Sequence, residues 1–361
     1  MKAVILAGGF ATRLRPLSCT RPKILFPIVN KPLLEWTLER LAKNNVKEVI
    51  MAVNHQTEIA IKQHKIKKYG VRLSYSRDPL RKPLGTGGPI KRAEKQIGHD
   101  SPFLVLNGDV FADVNYTEIL KLHGEKDAVA TIALYRVEDP SRYGVAELAE
   151  DNRIKRFIEK PQRKEAPTNL INAGVYVLSP EIFEYIPEKR AISMEREIFP
   201  KLAKKGMLYG YIHEGLWMDI GKPGDYFEIN KILLNSIFSQ QRLKVKRGVT
   251  VEKPAFFDNV SLGEEAIIGP YTILGRNVTV GKKVCIQNSI VFSNTKISDS
   301  ASIKGAIVGE GVFIGKGAKI SEGCILGDHV RIGDHVSLGK GILICPAKEV
   351  SENIQENRCI I

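Results

Sequence analysis

The feature that most constrains the fold is a six-residue repeat of apolar side chains in the C-terminal third of the chain. The repeat runs in two series, and the step between them is 16 residues rather than 18. The series are Leu262, Ile268, Leu274, Val280, Ile286 and Phe292, then Val308, Ile314, Ile320, Leu326, Ile332, Leu338 and Ile344. A fixed period of six over this length is typical of a hexapeptide-repeat parallel β-helix.

The repeat also predicts the geometry of each coil. Three hexads form one triangular coil with the aliphatic side chain inside, and many of these side chains precede a glycine, as Leu262 precedes Gly263. We expect the glycine at the corner, because glycine tolerates backbone conformations closed to other residues. A β-sandwich is the alternative, but it does not hold a constant count of six. Because a solenoid leaves open ends and a flat flank, we expect a homo-oligomer formed through the β-helix.

The preceding part of the chain alternates short apolar runs with helical periodicity. Strands are predicted at 4–6, 48–53, 71–76 and 103–106, and helices at 32–43, 57–68, 86–96 and 223–241. This alternation predicts an α/β fold with a mostly parallel sheet. Further strands at 128–135, 144–148, 154–159 and 170–178 predict an antiparallel extension of that sheet. We therefore predict two domains, residues 1–241 and 242–361.

Positive charge is concentrated in the first domain. The net charge is +14, and residues 245–361 contain 14 Lys/Arg against 12 Asp/Glu, so most of the excess lies before them. A basic surface attracts nucleic acid, acidic lipid or phosphorylated metabolites, or is simply solvated. The lysine-rich run at 62–68 lacks the interleaved aromatic residues of a single-strand binding surface, so we expect no nucleic-acid partner.

The sequence has no feature typical of membrane insertion or secretion. No apolar run approaches the ~18 residues of a membrane span, and the run at 3–7 is shorter than the core of a signal peptide. The five cysteines are widely spaced and include no CxxC pair, which argues against a zinc site or a disulfide framework. We expect a cytoplasmic protein with no membrane partner.

The first candidate site lies in residues 6–27. A predicted strand runs into Gly8 and Gly9, and Arg13 and Lys23 follow. Glycines let backbone N–H groups approach a phosphate, and the two cations supply positive charge. The stretch matches neither the P-loop nor the dinucleotide-binding pattern. A structural turn with surface cations nearby fits the residues equally well.

Two isolated carboxylates form the second candidate. Asp109 follows a predicted apolar strand, at the edge where an open α/β sheet places ligands. Asp219 lies between apolar residues, where a carboxylate is costly unless it is paired or bound to a metal. Asp109 alone could simply cap a turn. If the two side chains converge, they form an oxygen-rich site suited to Mg²⁺.

The third candidate is the stretch 157–161, in which Glu159 and Lys160 end a strand. Adjacent strand residues point to opposite faces, so we do not expect an ion pair between them. Lys160 could meet a phosphate and Glu159 hydroxyl groups, or both could be solvated charges on an edge strand. Asn172 is a poor strand former, and its side-chain amide needs hydrogen-bond partners. The residues alone leave open whether the protein core or a ligand supplies these partners.

An ordered set of short motifs resembles the sugar-1-phosphate nucleotidyltransferases. The motifs are GGFATRLRPL (8–17), PK (22–23), LGTGG (84–88), GD (108–109), YGV (143–145), EKP (159–161), NAG (172–174) and WMDIG (217–221). The branch most similar is the mannose-1-phosphate guanylyltransferases of the catalytic β type. That similarity rests on PLGTGGP (83–89), DPSRYGV (139–145), SMEREIFPKLAKKG (193–206) and NRCII (357–361). The resemblance implies a Rossmann-like nucleotidyltransferase domain followed by a left-handed β-helix.

The resemblance implies transfer of a nucleotidyl group from an NTP to a sugar 1-phosphate, with Mg²⁺ as cofactor. GTP and mannose 1-phosphate would give GDP-mannose and pyrophosphate. Asp109 and Asp219 would hold the metal, Arg13 and Lys23 would stabilise the phosphates, and Lys160 would hold the sugar phosphate. The implied nucleotide contacts are Leu6, Ala7, Gly8, Gly9, Gly85, Thr86, Gly87 and Asp109. The implied sugar contacts are Gly144, Glu159, Asn172 and Asp219.

Some residues depart from the family pattern or leave alternatives open. Ala11 stands where the family usually has glycine, so Ala11 is strained if that position needs a positive φ. Pyrimidine-using relatives commonly place a glutamine shortly before the second glycine loop. Residues 80–83 are Leu-Arg-Lys-Pro, which favours a purine.

The alternative functions are a glucose-1-phosphate thymidylyl-, uridylyl- or adenylyltransferase, a non-catalytic regulatory homologue, and a hexapeptide acyltransferase. An acyltransferase would need a catalytic histidine in the β-helix. His329 and His335 occupy matching places in successive hexads, which favours repeat-position surface residues.

Overall fold

The computed structural model describes residues 1–9, 11–79, 84–188, 190–238, 248–355 and 359–360. The strands before residue 220 are β1 (Lys2–Leu6), β2 (Pro27–Ile28), β3 (Lys31–Pro32), β4 (Glu48–Val53), β5 (Arg72–Arg77), β6 (Phe103–Asn107), β7 (Val110–Ala112), β8 (Ala130–Arg136), β9 (Gly144–Leu148), β10 (Ile154–Glu159), β11 (Leu170–Leu178), β12 (Leu208–Ile212) and β13 (Trp217–Asp219). The α-helices are α1 (Leu33–Lys43), α2 (His55–Gln63), α3 (Gly87–Arg92), α4 (Glu94–Ile97), α5 (Tyr116–Glu125), α6 (Ile182–Tyr185), α7 (Phe199–Lys204) and α8 (Pro223–Phe238). Short 3₁₀ helices cover Thr12–Leu14, Leu17–Cys19, Lys23–Leu25, Pro140–Arg142 and Arg163–Glu165, and a π-helical turn covers Met194–Ile198.

The chain forms two compact units. The sheet unit comprises Met1–Gly9 and Leu34–Asp219, and the β-helix unit comprises Phe10–Leu33 and Ile220–Ile361. The boundary predicted at residue 241 falls within 239–247, outside the described residues. The grouping of Phe10–Leu33 with the C-terminal residues is a feature that the sequence patterns did not indicate.

The sheet unit is built on a mixed sheet with the order β10-β9-β11-β6-β1-β4-β5, and β8 and β12 extend it from β11. Strands β6, β1, β4 and β5 are parallel, whereas β11 runs antiparallel to β6. The central strands are apolar and fully buried, as in Ala3, Val4 and Ile5 of β1, which is typical of a sheet covered on both faces. The predicted Rossmann-like sheet with an antiparallel extension is confirmed.

Two of the predicted helices in this unit are shorter than expected. The helix predicted at 57–68 begins at His55 and ends at Gln63. Most of the residues at 64–68 are exposed, so they supply no buried face that would extend the helix. The helix predicted at 86–96 is divided into α3 and α4, and Ala93 lies between them. The remaining elements agree with the prediction to within a few residues.

The order of the parallel strands fixes the edge at which a ligand can bind. The chain passes from β1 outward to β4 and β5 and then returns to β6 on the opposite side of β1. The strand order therefore reverses between β1 and β6, and open α/β sheets bind their ligands in the crevice beyond the carboxyl ends of strands at such a point.

The β-helix unit contains three parallel sheets, with the orders β14-β17-β20-β23-β26-β29, β15-β18-β21-β24-β27-β30-β32 and β16-β19-β22-β25-β28-β31. Their strands are β14 (Thr250–Val251), β15 (Ala255–Phe257), β16 (Ser261–Leu262), β17 (Ile267–Ile268), β18 (Thr272–Leu274), β19 (Thr279–Val280), β20 (Cys285–Gln287), β21 (Ile290–Val291), β22 (Lys296–Ile297), β23 (Ser302–Lys304), β24 (Ile307–Val308), β25 (Phe313–Ile314), β26 (Lys319–Ile320), β27 (Ile325–Leu326), β28 (Arg331–Ile332), β29 (Ser337–Leu338), β30 (Leu343–Ile344), β31 (Glu349–Val350) and β32 (Cys359–Ile360). Except in the last pair, β30–β32, each strand pairs with the strand three places later, as a triangular coil requires. The predicted left-handed parallel β-helix is confirmed.

The break in the six-residue period has a simple structural cause. Leu274 pairs with Val291 and Val291 pairs with Val308, so these coils contain 17 residues. Val291 belongs to the interior cluster of the coil. The expectation that Phe292 fills the interior is wrong: its ring meets that of Tyr226 edge-on at 6.3 Å.

The expected role of the repeat glycines is also wrong for most of them. The left-handed corners lie two residues later, for example at Glu265 (φ 61°) and Asn277 (φ 59°). A Cβ at Gly263 would lie 2.4 Å from the carbonyl carbon of Gly281 in the next coil, so Gly263 is needed for close stacking. His329 and His335 occupy left-handed corners and are exposed, as the repeat-position interpretation predicted.

Within the part of the chain that the structure describes, no helix combines the length and apolar character needed to cross a membrane.

A pair of glycine variants tests the role of coil stacking. A Cβ at Gly315 would lie 2.5 Å from Gly333 carbonyl carbon, whereas a Cβ at Gly333 would lie no closer than 3.3 Å to any described atom. We expect Gly315→Ala to destabilise the protein by about 1–3 kcal/mol, because backbone atoms in the next coil cannot give way. Gly333→Ala is the control, with a smaller loss. Equal unfolding midpoints for the two variants in urea would contradict this account.

Candidate active site

The candidate site begins where β1 and β6 end side by side. The Gly108 N–H donates to the Leu6 carbonyl at 2.8 Å, and the Ala7 N–H donates to the Ala52 carbonyl at 2.8 Å. These bonds fix the start of the first glycine loop against both neighbouring strands. Leu6 and Ala7, which the sequence assigned to the nucleotide, therefore lie at the crevice edge of the sheet.

Gly8 lies against two polar side chains from the next two strands. The Asn54 side-chain amide donates to the Gly8 carbonyl at 3.0 Å. A Cβ at Gly8 would lie 3.0 Å from Asp78 Oδ2, so glycine leaves room for that carboxyl group. Gly9, in contrast, is exposed and has no described atom within 4 Å of where its Cβ would be.

Asp78 is a residue that the sequence analysis missed. Its Oδ1 atom is buried and has no hydrogen-bond partner among the described residues. Burial raises the pKa of Asp78 to about 6, against the opposing effect of Arg92. A carboxylate shortly after a predicted strand was the available signal: Asp78 follows the strand predicted at 71–76 by two residues, and Asp109 follows the strand predicted at 103–106 by three.

The second glycine loop is held by the segment that precedes the π-helical turn. Gly85 forms a parallel bridge with Ile192, and the Gly87 N–H donates to the Ile192 carbonyl at 2.9 Å. Gly85 has φ +71°, and a Cβ there would lie 2.2 Å from the Ile192 carbonyl oxygen. The Thr86 hydroxyl donates to Glu195 at 2.6 Å, and Ser193 donates to the same carboxylate at 2.7 Å.

Glu195 also acts electrostatically on Glu159. The sequence did not mark Glu195 as a candidate site residue. Burial raises the pKa of Glu159, Glu195 raises it further, and the cations Lys160 and Arg196 oppose the rise. Glu195 thus joins the second glycine loop electrostatically to the stretch expected to bind the sugar. It lies in the run at 193–206 that contributed to the resemblance, but nothing in its spacing marked it as a site residue.

Glu159 and Lys160 are arranged differently from the expectation. Lys160 Nζ lies 3.7 Å from Glu159 Oε1, so the prediction that they do not pair is wrong. Lys160 lies just beyond β10 in a left-handed conformation (φ 50°), where strand alternation no longer applies. Its side chain is 58% exposed against 15% for Glu159. Gly144 pairs with Glu159, and a Cβ at Gly144 would lie 2.9 Å from Glu159 Oε2.

Asn172 has partners for both ends of its amide within the sheet unit. Its nitrogen donates to the Tyr176 hydroxyl at 3.0 Å, and its oxygen accepts from the Gly174 N–H at 2.8 Å. The pairing of β11 with β8 is irregular between Asn172 and Tyr176. The amide therefore shapes this irregularity, and its contact with a sugar stays a prediction.

The two candidate metal ligands are brought together by strand pairing. In the antiparallel pair β7–β13, Asp219 lies opposite Val110, the neighbour of Asp109. The Trp217 indole donates to the Ala173 carbonyl at 2.9 Å and ties β13 to β11. Both carboxyl groups are partly exposed at the carboxyl edge of β6. Strand pairing thus places the two residues one register position apart, and their joint binding of a metal stays a prediction.

Two carboxylates are a sufficient protein contribution for one kind of ion. Among the described residues, no group of three or more His, Cys, Asp or Glu side chains could hold a metal. Mg²⁺ commonly uses one or two carboxylates together with substrate phosphates and water. The pair Asp109–Asp219 fits that requirement, whereas a metal site made by protein ligands alone is not built from the residues described.

Arg13 and Lys23 belong to the β-helix unit. Arg13 is exposed, and Lys23 is buried in the 3₁₀ turn Lys23–Leu25. Ala11 has φ 47° and ψ 42°, so this position does need a positive φ and Ala11 is strained. An L-residue in this conformation costs about 1–2 kcal/mol. The Ser18 hydroxyl donates to the Ala11 carbonyl at 2.8 Å and helps to hold this conformation.

Two family models match the chain. The model described as nucleotidyl transferase matches residues 2–236, and the model described as GMPPB C-terminal domain matches residues 241–360.

Curated relatives match most of the chain. Mannose-1-phosphate guanyltransferase of Saccharomyces cerevisiae is 40% identical over 263 residues, which cover 72% of each chain. Mannose-1-phosphate guanylyltransferase catalytic subunit beta of Danio rerio is 39% identical over 272 residues, which cover 74% of this chain and 73% of the relative.

Solved structures resemble about two thirds of the chain. HddC from Yersinia pseudotuberculosis has a TM-score of 0.55 and 30% identity, covering 64% of this chain and 99% of its own. HddC complexed with GMP-PN has a TM-score of 0.53, 29% identity and the same coverage. UDP-glucose pyrophosphorylase complexed with UDP-glucose has a TM-score of 0.55 and 25% identity, covering 65% of this chain and 98% of its own.

The position of Asp78 generates a prediction about stability and pH. Its pKa is higher in the folded protein than in the unfolded chain, so the wild type loses stability as pH rises from about 4 to about 6. Asp78→Asn removes that loss, so we expect the variant to be more stable by about 1 kcal/mol at pH 7.5 and similar to wild type near pH 4. Urea unfolding at the two pH values measures this. Asp100→Asn, at an exposed aspartate, is the control, and a less stable Asp78→Asn at pH 7.5 would refute the prediction.

Proposed function

Because this chain belongs to the nucleotidyl transferase family, we propose that it transfers the nucleotidyl group of GTP to mannose 1-phosphate and releases pyrophosphate. The product is GDP-mannose. The curated relatives that match most of the chain are named for mannose 1-phosphate and guanylyl transfer, which supports this pair of substrates. The observation that carries the proposal is the pairing that sets Asp219 opposite the neighbour of Asp109 at the crevice of the sheet.

The reaction needs charge neutralisation more than covalent catalysis. A phosphate oxygen of mannose 1-phosphate attacks the α-phosphorus of GTP, and the bond from that phosphorus to the bridging oxygen of pyrophosphate breaks. Both reactants are anions that repel one another, so the enzyme must hold them in line and offset their charge. No nucleophile from the protein is required. The excess of positive charge before residue 245 is consistent with such substrates.

Asp109 and Asp219 would hold Mg²⁺ beside the α-phosphate. The ion would supply positive charge at the phosphoryl group that is transferred. The support for this role is the strand pairing that sets Asp219 opposite Val110, next to Asp109, with both residues partly exposed. Two carboxylates suit a cation that completes its ligands with phosphate oxygens and water. The carboxylates would orient the ion and so set the place of the α-phosphate.

Lys160 is proposed to bind the phosphate of mannose 1-phosphate, and Glu159 the hydroxyl groups of the sugar. The support is the difference between their environments, since the lysine is the more exposed and the glutamate is enclosed near Gly144. The roles of Arg13 at the departing pyrophosphate and Lys23 at the reacting phosphates rest on the motif that they share with the family.

The nucleotide is proposed to bind through the backbone at Leu6–Gly9 and at Gly85–Gly87. Asp78, which adjoins Gly8, is proposed to accept hydrogen bonds from the N1–H and N2 amino groups of guanine. Adenine offers no donor pair at that edge, so a carboxylate here favours guanine. A buried carboxyl oxygen without a described partner is consistent with a group kept for a ligand.

We further propose that the protein works in the cytoplasm as a homo-oligomer formed through the β-helix. The described cysteines are all free thiols, which suits a reducing compartment. Self-association is expected of a solenoid because its open ends need to be capped.

A matrix of nucleotides and sugar 1-phosphates tests the proposed substrates. GTP with mannose 1-phosphate should release pyrophosphate fastest from the purified protein with Mg²⁺, and ATP, UTP and dTTP should be slower. Asp78→Asn should narrow the preference for GTP over ATP by about 10-fold or more, given what one bidentate contact contributes to base discrimination. Preference for a pyrimidine nucleotide would overturn the assignment of the base, and absence of any transfer would favour a regulatory homologue.

Removal of either acidic side chain tests the proposed metal site. Asp109→Ala or Asp219→Ala should lower kcat by ~10²-fold or more with folding intact, because a charge that stabilises the transition state is lost. Glu138→Ala removes an exposed carboxylate and should retain full activity. Circular dichroism checks that the variants fold. Near-normal Mg²⁺-dependent activity in both aspartate variants would rule out the site.

A further inference from the structure

Arg21 lies in a buried cluster of charges within the β-helix unit. Its Nη2 atom lies 2.9 Å from Asp328 Oδ2 and 2.6 Å from Glu310 Oε2. The Thr20 hydroxyl donates to the same Asp328 oxygen at 2.6 Å. The guanidinium also lies 5.0 Å from the centre of the Phe292 ring. Contacts with Asp328, Glu310 and Phe292 therefore define the position of Arg21, a residue two places before Lys23.

The cluster is enclosed, so its geometry is demanding. The side chains of Arg21 and Asp328 are 15% and 6% exposed. Burial acts to lower the pKa of Arg21, but Asp328 and Glu310 together outweigh it and the pKa is raised. An ion pair removed from water depends on its hydrogen bonds, and loss of one member leaves the other charged and uncompensated.

The β-helix repeat does not itself require this cluster. Asp328 Oδ1 accepts the Glu310 N–H at 2.7 Å, and Asp334 Oδ1 accepts the Lys316 N–H at 2.7 Å in the next hexad. Both aspartates therefore serve the same corner of the coil. Asp328 alone of these two uses its second oxygen for Thr20 and Arg21. The contact with Arg21 is thus an addition to the repeat.

A second set of contacts holds the same segment beyond Lys23. The Val29 N–H donates to the Asn230 side chain at 2.8 Å, and the Asn30 amide donates to the Leu274 carbonyl at 2.7 Å. The Tyr226 hydroxyl donates to the Pro27 carbonyl. Lys23 therefore lies between two anchor points, of which the Arg21 cluster is the charged one.

We propose that the Arg21–Asp328 ion pair is a positioning device by which the β-helix holds residues 11–29, with Arg13 and Lys23, in the conformation that the reaction needs. Arg21 touches no reacting group and acts through the segment to which it belongs. The catalytic part of this inference rests on the proposed function, since it assumes that Arg13 and Lys23 act on phosphates.

The matched variants Asp328→Asn and Asp334→Asn test the proposal. Each keeps the oxygen that accepts the coil N–H and loses the charge, but only Asp328→Asn weakens the bond to Arg21. We expect Asp328→Asn to lower kcat for pyrophosphate release by about 10-fold or more, because a small displacement of catalytic groups is costly. Asp334→Asn should stay within about twofold of wild type. Arg21→Lys, which keeps the charge but lacks the planar fork of donors, should be intermediate.

Amide hydrogen exchange provides a measurement that does not depend on activity. Exchange should accelerate by about 10-fold or more in residues 11–29 of Asp328→Asn, and the interior strands of the β-helix should be unchanged. Equal activity and equal exchange in the two Asn variants would overturn the proposal. Acceleration spread over the whole β-helix would also overturn it, since Asp328 would then be a general stabilising residue. If the wild type transfers no nucleotide, the proposed function fails, while the exchange experiment still tests whether the ion pair holds the segment.

Discussion

The antiparallel pairing of β7 with β13 is the contact on which the candidate site depends. It places Asp219 opposite Val110, so that two acidic residues from distant parts of the sequence lie one register position apart. The Trp217 indole fixes the same strand to the Ala173 carbonyl. Since the two reactants proposed for this enzyme are both anions, a place where a divalent cation can be held is the first requirement of the chemistry. The other candidate residues are placed relative to the two aspartates that this pairing positions.

The remaining site residues are arranged by close approach of main chain rather than by long side chains. Gly8, Gly85 and Gly144 each lie where a Cβ would meet a carboxyl oxygen or a carbonyl group. Glu195 links two of these places, because it accepts from Thr86 and raises the pKa of Glu159. Close approaches of the main chain and a few charged side chains thus meet at the described positions of the sheet unit to which the nucleotide and the sugar are assigned in the proposed function.

Much of this architecture could be predicted from the sequence, because it is encoded locally. The six-residue period specifies the β-helix, and alternating strand and helix patterns specify the sheet. The edge position of Asp109 follows from its place after an apolar strand. Phe292 was misplaced because a coil of 17 residues, one fewer than three hexads, shifts the interior position by one residue. From the sequence alone, a coil that lacks one residue cannot be distinguished from a break between two separate series of repeats. Lys160 was misjudged because strand alternation ends where the backbone turns left-handed.

Other features depend on partners that lie far away in the sequence, and a local pattern is not enough to identify them. Asp78 has the local signal of following a strand, but its place beside Gly8 makes it a candidate, and Glu195 is a candidate because of its contact with Thr86 and its effect on Glu159. The family resemblance supplied the roles of Arg13 and Lys23, yet it did not indicate that their segment is built onto the β-helix. The residue types indicate which chemical roles are possible, whereas the fold determines which side chains lie next to one another.

The membership of residues 10–33 in the β-helix unit has a consequence for how the protein is made. Arg21 and Asp328 are separated by 307 residues, so the N-terminal segment leaves the ribosome long before its ionic partner is synthesised. At about 5–20 residues per second, that interval is roughly 15–60 s. During this time the early strands can assemble, but Arg21 remains hydrated and the segment around it is not yet held by Asp328. If the ion pair positions residues 11–29 as proposed, that segment is held in place only after the coil that contains Asp328 has been synthesised.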